Sequence, residues 1–267
     1  MLGAIIGDIV GSRFEWDNIK SKDFELFSKQ CHYTDDTVMT CAVADALVNN
    51  KDITKTLQEY GRNYPHKGYG GSFGAWIYSS NPQPYNSWGN GSAMRVSAVG
   101  WFAKTETETM RLAEEVTKIT HNHPEGMKGA KVTAMCVFMA RHGYTKEQIR
   151  KYAIKHYPII ESMSYSNLIK NYRFDVSCQG SVPQAIFCFL ISDSFEDCIR
   201  TVISIGGDSD TLGAIAGAIA EAYYFGINHD YQELCKEVIK FFPTAHDKKL
   251  LEPLKKIYEM CGINLII

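Results

Sequence analysis

The feature that most constrains the fold is a helix with almost no side chains to offer. Residues 211–226, TLGAIAGAIAEAYYFG, place glycine and alanine at steps of three and four. A helix this thin buries its surface only if another helix comes unusually close. The expected neighbour is the segment 36–49, DTVMTCAVADALVN, running parallel to it. There Met39, Val43, Ala46 and Leu47 recur at helical spacing, while Val38, Cys41 and Ala42 widen the apolar face beyond a surface helix's stripe.

Period, caps and breakers predict further helices at 53–62, 92–103, 106–119, 126–141, 145–156, 182–192, 195–205, 211–226 and 231–242. No run alternates as a strand would. Residues 67–91 form the longest irregular stretch, and Trp76, Tyr78, Tyr85 and Trp88 make it too aromatic for disorder, so a functional loop is expected there. No repeat, linker or charge run divides the chain. The predicted fold is all-α: a compact, single-domain (1–267), multi-helix orthogonal bundle.

With 28 Lys+Arg against 30 Asp+Glu, the chain has no broad field for a nucleic-acid backbone or an anionic membrane. No stretch approaches the ~20 apolar residues of a membrane span. The segment MLGAIIGDIVGSRFEW reaches Asp8 too early for a signal peptide. Eight cysteines lack C-x-x-C spacing and lie mostly among apolar residues, as reduced thiols of a cytoplasmic protein do.

Two clusters of Asp and Thr stand just before the two central helices: Thr34, Asp35, Asp36 and Thr37, then Asp208, Asp210 and Thr211. One aspartate per helix suffices for an N-cap. The second in each pair repels its neighbour unless protonated or neutralised by a cation. Carboxylates with Thr hydroxyls are ligands that hard divalent cations accept. If both clusters converge, four aspartates balance two M²⁺ ions, a binuclear site at helix N-termini. In GDIVGSRFEW, Asp8 reads as a cap or structural partner in a glycine-bounded apolar turn. Glu15, between Phe14 and Trp16, is either a solvated carboxylate or one raised in pKa for acid–base work.

Gly89, Asn90, Gly91 and Ser92 precede a helix and read as an anion cradle of free backbone N–H groups or as an ordinary turn. His121 and His123 lack a third His or Cys for zinc, and Pro124 with Glu125 marks a helix start. Pro183 is placed near N1 of its helix.

Taken in order, GDIVGSRFE, YTDDT, GNGSAMRVSAVG, THNHPEGMKGA, GSVPQAI and GGDSDTLGAIAGAIAEAYY resemble the ADP-ribosylglycohydrolase family, from about residue 3 to 226. This family includes dinitrogenase reductase activating glycohydrolases and ADP-ribosylarginine and ADP-ribosylserine hydrolases. The resemblance implies a metal-dependent hydrolase with two divalent cations, Mg²⁺ or Mn²⁺, held by Thr34, Asp35, Asp36, Asp208, Asp210 and Thr211. It implies Glu15 or Asp36 as the catalytic base, Gly89 to Ser92 on the diphosphate, and His123 on the adenosine side. The implied partner is an ADP-ribosylated protein side chain, arginine first and serine second, or a small ADP-ribose conjugate; a monomer is expected. Two alternatives stay open. One is a non-catalytic ADP-ribose binder. The other is an all-α Mg²⁺ enzyme acting on diphosphates, disfavoured because Met39 breaks a D-D-x-x-D spacing.

Overall fold

The computed structural model describes residues 1–226 and 232–265. Among them every regular element is helical, and the one extended pairing is a single bridge between Gly89 and Ser177. The helices are α1 (Leu2–Ser12), α2 (Asp35–Val48), α3 (Ile53–Asn63), α4 (Gly71–Ile77), α5 (Gly91–Met94), α6 (Ser97–Phe102), α7 (Glu106–Thr117), α8 (Pro124–Arg141), α9 (Lys146–His156), α10 (Tyr165–Asn171), α11 (Cys178–Ile191), α12 (Phe195–Ser204), α13 (Ser209–Tyr224), α14 (Gln232–Ile239), α15 (Ala245–Lys248) and α16 (Glu252–Met260).

The glycine- and alanine-rich helix expected to be closely packed is α13, buried from Ser209 to Ala222. Its close neighbour is not α2. It is α1, whose sequence reads as a glycine-bounded turn rather than a helix. Gly3, Gly7 and Gly11 lie one turn apart on α1 and meet Gly217, Gly213 and the Ser209–Asp210 backbone, so the two helices run antiparallel. A methyl group added at Gly7 would overlap the carbonyl of Gly213, and one at Gly213 would overlap that of Gly7. The small-residue stripe does bring two backbones together, but the partner is supplied by the chain's first segment. Every residue of α1 is buried, which erases the polar face that would have revealed a helical period.

Other boundaries differ for local reasons. The predicted helix at 92–103 is two pieces, broken at Arg95 and Val96, both near φ −90° and ψ 0°. Helix α4 lies inside the stretch expected to be irregular. Ser177 caps α11 with its hydroxyl on Gly180 N at 3.0 Å, so the helix starts earlier than expected and Pro183 falls in its interior. The predicted helix at 231–242 corresponds to α14, and its first residue lies outside the described residues. No helix among the described residues is long and apolar enough to cross a membrane.

Candidate active site

Gly206 and Gly207 adopt φ of +69° and +85°, a left-handed conformation that only glycine takes without strain. They deliver Asp208 to the N-cap position of α13, yet its side chain makes no capping bond. Its Oδ2 instead accepts a hydrogen bond from Asn90 Nδ2 at 2.7 Å. Capping therefore does not account for this aspartate.

The mouth of α2 is built differently. Thr34 caps it, with Oγ1 accepting from Asp36 N at 3.3 Å. Asp8 reaches across from α1 and accepts from Thr34 N at 2.9 Å, Thr34 Oγ1 at 2.7 Å, Thr37 N at 3.1 Å and the Thr37 hydroxyl. Asp8 is thus the structural partner expected of it, acting from another helix. Helix α1 links both mouths, holding α2 with Asp8 and α13 with its glycine face.

Both mouths open on one cavity of about 650 Å³. Asp35, Asp36, Asp208, Asp210 and Thr211 line it, and Glu15 joins them from the segment after α1. One oxygen each from Glu15, Asp208 and Asp210 lies within 4.8 Å of the others. Thr211 Oγ1 donates to Asp36 Oδ2 at 3.3 Å, joining the two clusters. Thr34 does not line the cavity; its hydroxyl proton is committed to Asp8.

Burial, reinforced by the charge of Asp210, raises the carboxyl pKa of Asp35, Asp36 and Asp208 well above the usual range. The same two causes lift Asp8 and Glu15 to about 7. Asp36 Oδ1 is buried without any hydrogen-bond partner among the described residues. A buried carboxylate oxygen lacking a donor is costly unless a ligand completes it, and a hard divalent cation takes such oxygens. The donor set fits that group.

The opposite wall departs from the expected anion cradle. Gly89 N donates to Ser87 Oγ, Asn90 N to Val176 O at 2.7 Å and Ser92 N to Gly89 O. Only the Gly91 N–H of the four has no acceptor among the described residues. The Ser92 hydroxyl is buried on the carbonyls of Gly89 and Gly126. Asn90 serves Asp208 and Ser181 with its amide.

His123 does not line the cavity. Its Nδ1 accepts from Glu125 N, capping α8, while its ring lies against Trp88. The histidine on the cavity wall is His121. Arg95, also lining the cavity, is 1% exposed and forms no ion pair with a carboxylate among the described residues. Its one sequence signal was a lone charge in the apolar run SAMRVSAVG. Asn18 was missed as well: it donates to Glu15 O and Gly207 O and accepts from Gly207 N, clasping the Glu15 segment to the turn before Asp208. Only the fold brings those residues together.

The sequence profile of the ADP-ribosylglycohydrolase family matches residues 1–236. ADP-ribosylhydrolase ARH3 of Mus musculus is 26% identical over 305 aligned positions, covering 84% of this chain and 82% of that protein. ARH3 of Homo sapiens is likewise 26% identical, with 84% of both chains covered. Among solved structures, an ADP-ribosylglycohydrolase-related protein complex superposes with a TM-score of 0.69 at 19% identity, covering 97% of each chain, a likeness of fold. Taken with the helical fold and the acid-lined cavity, these matches establish that the chain belongs to the ADP-ribosylglycohydrolase family and is a glycohydrolase.

Proposed function

We propose that this protein hydrolyses the bond between C1″ of ADP-ribose and an acceptor side chain, arginine first and serine second, with two divalent cations, Mg²⁺ or Mn²⁺. The observation that carries this reading is the meeting of two acid clusters, one of them with a partnerless oxygen on Asp36, in a cavity of about 650 Å³, within the range that holds ligands of this size. Asp35, Asp36, Asp208, Asp210 and Thr211 would hold the cations. Bound there, divalent cations would supply Lewis-acid polarisation and offset the charge of the acids.

The chain's own groups divide the remaining work. Glu15 is half-buried and faces the cavity beside Asp208 and Asp210, where it can take a proton from water as water attacks C1″. Asp36, buried and held by the Thr211 hydroxyl, is better placed as a ligand than as the base. As the C1″–acceptor bond breaks, the surrounding carboxylates favour the positive charge of an oxocarbenium-like transition state. The acceptor leaves with a proton and the water oxygen stays on C1″.

Gly89 to Gly91, with Tyr85 and Trp88, form the wall assigned to the diphosphate and base. One chain supplies the acids of both clusters, and the enzyme is proposed to act as a monomer. Eight cysteines held as thiols, seven of them buried, suit a reducing compartment such as the cytoplasm. The test presents the protein, with Mg²⁺ or Mn²⁺, with ADP-ribosyl-arginine, ADP-ribosyl-serine and small ADP-ribose esters. Release of ADP-ribose from arginine faster than from the others is expected. Binding of ADP-ribose with no turnover of any conjugate would sink this reading.

A further inference from the structure

Arg95 is the most anomalous residue near the cavity outside the acid clusters. It is 1% exposed, its Nε is buried without a partner, and its Nη2 donates to Val116 O at 3.3 Å and Thr120 Oγ1 at 2.7 Å. A buried cation with no ion-pair partner among the described residues costs stability unless it serves some other end. Its presence also dictates the direction of the hydrogen bonds around it. A guanidinium can only donate, so the Thr120 oxygen accepts from Arg95.

The one hydroxyl proton of Thr120 then has two possible acceptors. Thr117 O lies at 3.5 Å, the edge of hydrogen bonding, and His121 Nδ1 lies at 2.8 Å, the ordinary length. Thr117 O already accepts from Thr120 N at 3.2 Å and His121 N at 2.9 Å, which leaves the hydroxyl proton to His121 Nδ1. With Nδ1 accepting, a neutral His121 must carry its proton on Nε2.

Neutrality has its own causes. His121 is 4% exposed, and burial with the nearby Arg95 charge holds its pKa well below the usual value. Nε2 stands at the glycine turn: a Cβ built at Gly89 or at Gly91 would lie 3.5 Å from it. This is where three of four backbone N–H groups are already committed to protein acceptors.

We propose that Arg95, acting through the Thr120 hydroxyl, is a positioning residue that fixes His121 as its Nε2–H tautomer, giving the glycine turn a preset side-chain donor for the oxygens of the bound diphosphate. The tautomer rests on the structure alone; the identity of the acceptor rests on the proposed function. The buried cation is thereby explained by an imidazole that donates toward the ligand without becoming charged.

The test labels the histidines of the full chain with ¹⁵N and records long-range ¹H–¹⁵N spectra near pH 7, the His121 signal being assigned by its loss in His121→Gln. The expected wild-type pattern is neutral imidazole with the proton on Nε2. Thr120→Val should turn this into a tautomer mixture and weaken ADP-ribose binding by about tenfold, the scale of one hydrogen bond to a charged group. Thr120→Ser should restore both. A wild-type Nδ1–H tautomer or an imidazolium, a Thr120→Val spectrum like wild type, or a His121→Gln protein that binds ADP-ribose as tightly as wild type would each overturn the proposal. Loss of ADP-ribose binding by the wild type itself would instead overturn the proposed function, since the spectrum needs no ligand.

Discussion

The seam between α1 and α13 carries a buried carboxylate system at each end, and the two ends are completed differently. At one end Glu221 is fully buried and accepts from the Met1 ammonium, Gly3 N at 2.8 Å and the Tyr258 hydroxyl. At the other end Glu15, Asp208 and Asp210 crowd together, and Asp36, joined to them through the Thr211 hydroxyl, keeps an oxygen with no donor among the described residues. The chain supplies Glu221 with enough hydrogen to bury it as structure. It brings the opposite acids together without supplying the charge that would settle them, which is what a cation site requires. The same helix pair thus separates an acid that holds the fold from acids that serve chemistry.

The largest expected effect breaks the chemical end. Asp208→Asn with Asp210→Asn should cut ADP-ribose release by about a thousandfold or more, because bound metals contribute several kcal/mol at about 1.4 kcal/mol per tenfold. Circular dichroism should report an intact fold. Next comes the structural end: Glu221→Leu leaves the Met1 ammonium and two further donors unanswered and should cost about 3–5 kcal/mol in urea unfolding. Its kcat, measured on the folded fraction, should stay near wild type.

Between them lies the seam itself. Gly213→Ala forces α1 and α13 apart and should cost about 1–3 kcal/mol by overpacking. Because Asp8 and Asp210 ride on those helices, it should also weaken Mn²⁺ binding, which Glu221→Leu should not. The smallest effect is expected from Thr37→Val, which removes one of the donors to Asp8 and should cost about 1 kcal/mol.

How much of this was legible before the fold depends on how local each signal is. The aspartate pairs stood out because one carboxylate per helix mouth satisfies capping, so a second asks for a reason within four residues of sequence. The close approach of α13 was legible for a similar reason, since glycine and alanine at its steps can serve little else. Its partner was not legible. Small residues say that a backbone comes near, never which one, and α1 hid because Gly3, Gly7 and Gly11 leave it no polar face. Likewise Asp8 caps α2 across 26 residues of chain, and Arg95 reaches Thr120 across 25. The family resemblance puts His123 on the ligand, although its Nδ1 caps α8, two residues from the His121 that lines the cavity.

The most direct test of the contrast is ADP-ribose release from ADP-ribosyl-arginine by chelated protein, before and after Mg²⁺ or Mn²⁺ is restored, run alongside Glu221→Leu and the Asp208→Asn, Asp210→Asn double variant. The expected result is that metal restores activity to wild type and to folded Glu221→Leu but not to the double variant. Full release by the chelated wild type, or by the double variant, would contradict the assignment of the donor-poor acids as the metal-dependent centre.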